Sequence, residues 1–242
     1  VLVACGAGVT GLNLGIPYAE GIRDGAACDY TVRPVGRSNP SGAASHSCEL
    51  LIFDDTGSYI TDLRHIVPDD ITIYKDPSDL QRILDLVDQN IRRLCDRIHL
   101  PPEYPHVSAH NRWVVNMPGT TVIIPILDQV DALFNHLWIR SGEGSPIATD
   151  RRGRLLGQPE RLLADGLLHR ERTITLASAE AAMRTSTVAE MSIVTQNIHL
   201  IMQAMGLGGW LFSGINTQSV LGAHADSGVP GLGFRFEDDP SW

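Results

Sequence analysis

Three short stretches of this 242-residue chain carry residue types that can do chemistry. The first is Gly6-Ala7-Gly8-Val9-Thr10-Gly11, a G-x-G-x-x-G spacing directly after an apolar run. As a dinucleotide fingerprint it would need its third glycine to open a helix whose N-terminus holds a pyrophosphate. It would also need an acidic residue about 20 positions on, at the end of a second strand. Gly15 and Pro17 break any helix there, and Gly25 to Tyr30 does not read as a strand, so the spacing reads as a glycine-rich loop. The second stretch is Arg37-Ser38-Asn39-Pro40-Ser41-Gly42-Ala43-Ala44-Ser45-His46: an arginine, hydroxyls and accessible backbone N–H groups among small residues, suited to a phosphate or a polyol chain. The third runs from Thr195-Gln196-Asn197-Ile198 to Met205-Gly206-Leu207-Gly208-Gly209-Trp210-Leu211-Phe212-Ser213-Gly214. It is the end of a helix followed by a glycine loop, where backbone can approach a flat ring with no Cβ between them.

Other residues read more plainly. His106 and His110 are four apart, but Pro105 precedes them and no third ligand sits at a fitting spacing, so they read as loop histidines. Asp226-Ser227-Gly228 lacks flanking glycines, and G-x-S-x-G is absent, which argues against hydrolase chemistry. Lys75 is the single lysine against eighteen arginines, so no P-loop exists. Glu190 and Arg184 read as an ion pair, and Met183, Met191, Met202 and Met205 as core packing.

The formal net charge of −9 argues against nucleic-acid binding. Cys5, Cys28, Cys48 and Cys95 form no C-x-x-C pair and read as reduced, buried thiols of a cytoplasmic protein. No apolar stretch approaches the roughly 18 residues of a membrane span; Leu2-Val3-Ala4-Cys5-Gly6 resembles a lipoprotein cleavage site but, with no basic or long apolar segment before it in the given sequence, is not expected to serve as one.

These stretches need elements to position them. Residues 1–47 read as loops and short extended pieces. Cys48 to Phe53, a turn at Asp54-Asp55-Thr56-Gly57, and Ser58 to Thr61 read as strand, turn, strand. Asp76-Pro77-Ser78-Asp79 opens a helix, and Leu80, Leu84, Val87, Ile91, Leu94 and Ile98 extend it to Pro101. Thr120 to Leu127 predicts a strand, Val130 to Ile139 a short helix, 141–160 a flexible loop, and Arg172 to Leu176 a short strand. A long helix spans Ser178 to Met205 and ends at Gly206; Gly233 to Phe236 predicts a last strand. The elements mix α and β without regular βαβ alternation, in one domain over 1–242.

Taken in order, the second and third stretches resemble the FMN-dependent nitroreductase superfamily. Its members carry R-x-x-P-S-(small) before a strand, then a late helix reading Q-N-(apolar) and G-L-G. The branch with azoline dehydrogenases is the closer likeness, through Pro40 to His46 and Arg184 to Gly206. The resemblance covers 35–61 and 174–216. It implies an α+β fold with a central, mostly antiparallel sheet flanked by helices, and an intertwined homodimer built around the long helices. FMN would lie at the dimer interface, with NADH or NADPH as co-substrate and a small organic molecule as substrate. By the same likeness, Arg37, Ser38, Ser41 and Gly42 match the loop for the flavin phosphate and ribityl chain. Ser213 and Gly214 match the backbone facing the flavin ring, and Arg235 stands nearest a C-terminal phosphate-gripping position. Asn197 fastens the helix to a loop, and 99–160 is a lid or dimer-interface insertion. Ser213 stands where many members carry an acidic residue, and Ala44 where many carry an amide. A second reading therefore stays open: a cofactor-free protein of this fold that binds a partner or regulates one.

Overall fold

Strand β3 (Cys48–Asp54) organises the chain. Its run Cys-Glu-Leu-Leu-Ile-Phe is buried throughout, as a central strand covered on both faces must be. The computed structural model of the chain describes residues 1–12, 35–41, 46–67, 70–72, 75–110, 112–129, 132–133, 145–166 and 168–236. On one edge of β3, β4 (Gly57–Thr61) returns as the expected hairpin, with Asp54 opposite Gly57 and Leu51 opposite Ile60. The turn is held by Asp54 Oδ1, which accepts from Thr56 N (2.8 Å) and Thr56 Oγ1 (2.6 Å); these bonds hold the Asp54 carboxyl below the usual range. Two more strands take the outer positions of this sheet, and the structure fixes which lies where.

It places β5 (Ile91–Cys95) beyond β4, and β6 (Val122–Leu127) against β3 from Phe53↔Val122 to Cys48↔Leu127. The sheet runs β5-β4-β3-β6, antiparallel throughout. β6 is outermost, so Pro125 removes no ladder bond that the sheet needs. The fold is thus α+β with a mostly antiparallel central sheet flanked by helices, as expected.

Alternate side chains of β3 seed two cores. Cys48, Leu50 and Ile52 pack with α1 (Leu2–Ala7), Val87 of α2 (Asp79–Gln89), and Val194 and Ile198 further along the chain. Leu51 and Phe53 pack on the other side with Leu100, Val107, Val115, Phe212, Ile215, Val220 and Val229. Two small sheets complete the strands. β1 (Val9–Leu12) and β2 (Val35–Arg37) are antiparallel; β7 (Ser145–Thr149) and β8 (Leu168–Thr175) are parallel, with α3 (Glu160–Ala164) between them in sequence. The long helix α4 (Leu176–Ala204) follows β8 directly, capped by Thr175 Oγ1, which accepts from Ser178 N (3.2 Å). It ends where predicted. Gly206 takes φ +70°, and Leu207 N reaches back to Met202 O (2.9 Å). The short α5 (Thr217–Leu221) lies on the second face, where Val220 joins that core.

Five expectations are corrected. Residues 1–47 are not all loop and extended chain, because 2–7 form α1. The predicted helix from Asp76 starts at Asp79 and stops at Gln89. Ile91 and Leu94 keep a helical spacing, but their backbone pairs with the free edge of β4 instead. The 141–160 loop contains β7, whose partner β8 lies about twenty residues on, beyond any local signal. Strand β8 begins at Leu168, not Arg172. Residues 233–236 pair with no strand; Phe234 N donates a single bond to Leu221 O (2.8 Å). Most of the predicted helix from Val130 to Ile139 lies outside the described residues. Among the described residues, no helix is long and apolar enough to cross a membrane.

The opening glycines have a structural use. The order is helix then strand, the reverse of a dinucleotide fingerprint, with Gly6 in α1, Gly8 capping it and Gly11 in β1. A Cβ on Gly6 would lie 2.3 Å from Ile198 Cγ1, so glycine lets α1 seat on α4 without displacing the Ile198 side chain. Gly6→Ala should lower stability by about 1–3 kcal/mol. Ile198→Ala in the same chain should recover part of that loss, and urea unfolding of the two single variants and the double reads this directly. Additive losses would mean the two residues do not meet.

Candidate functional site

The site is built around two buried carboxylates. Glu49 of β3 has a side chain 8% exposed, and Arg37, at the end of β2, one 3% exposed. Arg37 Nη2 donates to Glu49 Oε1 (3.2 Å), and Arg37 Nη1 donates to Ala7 O (2.7 Å), the last carbonyl of α1. Thr61 Oγ1 donates to Glu49 Oε2 and itself accepts from Leu50 N (2.9 Å). Arg64 N, in the 3₁₀ turn after β4, donates to Glu49 Oε1 (2.8 Å). Each Glu49 oxygen is thus held by donors, which a buried carboxylate requires.

The second carboxylate is Glu190, in the middle of α4 and 5% exposed. Its Oε1 accepts from Asn39 Nδ2 (3.3 Å) and its Oε2 from Ser41 Oγ (2.5 Å). Ser41 Oγ in turn accepts from His46 N (2.9 Å). Two helical turns further on, Asn197 Nδ2 donates to Ser38 O (3.3 Å). Glu190 and Asn197 are seven apart and share one face of the helix, so α4 grips the 38–41 loop at two points.

Burial lowers the pKa of Arg37, and the adjacent Glu49 charge opposes that shift. Cys48 lies between the acids. Burial first, then the Glu190 and Glu49 charges, push its thiol up to about 12. Such a thiol is protonated at neutral pH and inert as a nucleophile.

The predicted site residues fall into two groups. Ser38 and Ser41 bond α4, whose Val194 and Ile198 belong to the first core, while Arg37 bonds Glu49 of β3. Ser213 and Gly214 lie on the second face, between Phe212 and Ile215 of that core. Gly214 O accepts from Ser108 N (2.8 Å), and a Cβ on Gly214 would lie 2.3 Å from the Phe212 ring. Ser213 is exposed, and Arg235 is exposed after Leu232 of the same core. Gly42 and Ala44 lie outside the described residues. Within one chain, the two groups are separated by the sheet.

The remaining candidates take structural places. His106 is buried, with Nδ1 2.9 Å from Ser219 Oγ and its ring edge-on to His224; His110 stands edge-on to Phe212. Among the described residues, no three His, Cys, Asp or Glu side chains are grouped to hold a metal. Asp226 and Ser227 sit in an exposed 3₁₀ turn. Met191 and Met202 pack against the first core, whereas Met205 is half exposed. Glu190 corrects its expectation: it bonds Asn39 and Ser41 rather than Arg184, which is exposed. A groove of about 590 Å³ beside α3 and β8 is lined by Glu160, Leu163, His169 and Arg170, and by none of these site residues.

Sequence reasoning passed over Glu49. Its one signal is a lone carboxylate inside an apolar strand run, a position that demands donors from elsewhere.

Comparison of the chain with protein-family models, curated proteins and solved structures finds no match. The fit to a flavin therefore rests on the residues themselves. Ser38 Oγ is buried without a hydrogen-bond partner, and that orphaned hydroxyl fits a phosphate or ribityl oxygen. Arg37 fits an anion less well, because its guanidinium already serves Glu49 and Ala7.

Two outcomes follow. Glu49→Ala, which strands a buried guanidinium, should cost about 3–5 kcal/mol in urea unfolding, and Arg37→Met in the same chain should recover much of it. A double variant no more stable than Glu49→Ala would show that the pair is not coupled. In the native protein at pH 8, iodoacetamide should modify the exposed Cys95 and spare Cys48 until denaturant is added, as peptide mass mapping reads. Early labelling of Cys48 would contradict its burial.

Proposed function

We propose that the chain is a nitroreductase-like, FMN-dependent oxidoreductase of the cytoplasm. It passes hydride or electrons from NADH, NADPH or an organic donor to a small organic acceptor, and it works as a homodimer. One observation carries this reading: the two stretches joined by the resemblance touch each other. Ser38, Asn39 and Ser41 bond Asn197 and Glu190 across more than 140 positions of sequence. The orphaned Ser38 hydroxyl then lies at the loop that the likeness assigns to the phosphate and ribityl chain. When bound, the flavin supplies the redox chemistry. The protein's part is to bind it, orient its ring and exclude water.

The dimer rests on α4. Its inner face buries Ala179, Val194 and Ile198, yet Val188, Ile193 and Leu200 on its other sides are 49%, 36% and 52% exposed. These exposed apolar side chains stand among polar ones such as Arg184, Ser192 and Gln196, and they leave apolar surface that a second copy would cover. Two copies also allow the first-face loop of one to approach the second-face backbone of the other, which one chain keeps apart.

The Arg37–Glu49 pair favours a second reading, a cofactor-free partner-binding or regulatory protein, because the cation that would meet a phosphate is already neutralised. One spectrum separates the two. The purified protein, mixed with FMN and freed of excess by gel filtration, should retain a flavin absorbance that bleaches with NADH or NADPH. A colourless protein after that treatment would overturn the oxidoreductase reading and leave the second.

A further inference from the structure

We infer that Ser41 is a strut rather than a ligand contact, and that Glu190 is the positioning residue that sets the 38–41 loop for an anionic or polyol ligand through it. The inference rests on the flavin reading above, and it reassigns a residue within that site. Ser41 Oγ has one proton, and it goes to Glu190 Oε2 at 2.5 Å. The same oxygen accepts the His46 N–H at 2.9 Å, which bridges the two ends of segment 41–46. A hydroxyl so placed has no proton left to give a phosphate oxygen. Glu190 is buried at 5% exposure, its other oxygen takes Asn39 Nδ2 at 3.3 Å, and no cation forms an ion pair with it among the described residues. Its negative charge therefore does local work: it polarises the two donors that fold the loop against α4. Asn197 adds the second point of attachment at Ser38 O. With Asn39 and Ser41 both turned toward the helix, Ser38 Oγ is the hydroxyl of this loop left to meet the ligand.

The test compares Ser41→Ala, Glu190→Ala, the double variant, Glu190→Gln and Ser38→Ala, with two readouts. The first is amide hydrogen exchange over 38–41 in the flavin-free protein. Ser41→Ala and Glu190→Ala should each speed exchange at least tenfold. Glu190→Gln should stay within about threefold of the parent, because its amide oxygen accepts from Ser41 while Asn39 flips to present its own oxygen. The second readout is the FMN dissociation constant by fluorescence titration. Ser41→Ala and Glu190→Ala should each weaken binding about tenfold, and the double variant no more than the weaker single, since both remove one link. Ser38→Ala should weaken binding while leaving exchange unchanged. Losses that multiply in the double variant would make Ser41 a direct contact and overturn the inference alone. Unchanged exchange in Ser41→Ala and Glu190→Ala would overturn it as well. A parent protein that exchanges as expected but binds no FMN would sink the flavin reading and with it the ligand role of Ser38. If Glu190→Ala does not fold, Ser41→Ala and Glu190→Gln still decide.

Discussion

The Glu49 carboxylate is the constraint on which the rest of the structure depends. It is the meeting point of five pieces of chain: the last carbonyl of α1 through Arg37, the end of β2, β3 itself, Thr61 of β4, and the turn at Arg64. A buried ion pair of this kind adds little net stability over a well-packed apolar substitute. Its effect is on choice of arrangement. Any packing that moves one of these five pieces strands a charge or a donor in the interior, and each such orphan costs on the order of 1–3 kcal/mol. The Arg37 fork, held at Ala7 on one side and Glu49 on the other, ties α1 to β3, beside the close seat of Gly6 on Ile198.

That constraint passes outward to the loop. Arg37 ends β2, so fixing its side chain fixes where the 38–41 segment leaves the sheet. The segment then meets α4, whose own position is set from beneath by the close seat of Gly6 on Ile198. Glu190 and Asn197 lie on the helix face that this seating turns toward the loop. The two buried acids thus divide the labour: Glu49 sets the frame, and Glu190 sets the loop on the frame. The Cys48 thiol beside them is pushed up first by burial and then by these two negative charges.

Much of the frame was legible in the chain itself, because local signals determine it. Asp54 to Gly57 is a turn whatever surrounds it, and Gly206 ends a helix because its positive φ suits glycine. Where partners lie far off, the reading failed. Ile91 and Leu94 obey a helical period, and only the free edge of β4, some thirty residues back, makes them a strand. Segment 2–7 is too short to announce itself as a helix; it is one because α4, almost two hundred residues later, offers it a groove. The candidate loop was legible by residue type, since arginine, serine and glycine before a strand are visible at a glance. What those side chains do was not. Twelve positions separate Arg37 from Glu49 and 149 separate Ser41 from Glu190, so the two acids that occupy the loop's donors could not be paired with them from sequence.

The division of the predicted site between the two faces of the sheet has a physical origin. Residues on α4 and residues just after it are close in sequence, yet the chain must turn at Gly206 and pass the end of the sheet before Phe212 enters the second core. Consecutive segments are carried to opposite faces by one glycine turn. A single chain therefore has a loop with the Ser38 hydroxyl left without a partner, a glycine-rich backbone in the other core, and a long helix with some apolar side chains left outward. In the homodimer proposed above, those three features would complement one another between two copies. If the exposed apolar residues of α4 seat a second copy, as proposed, they would also bring its loop toward that backbone, and assembly and ligand binding would then be one problem with one solution.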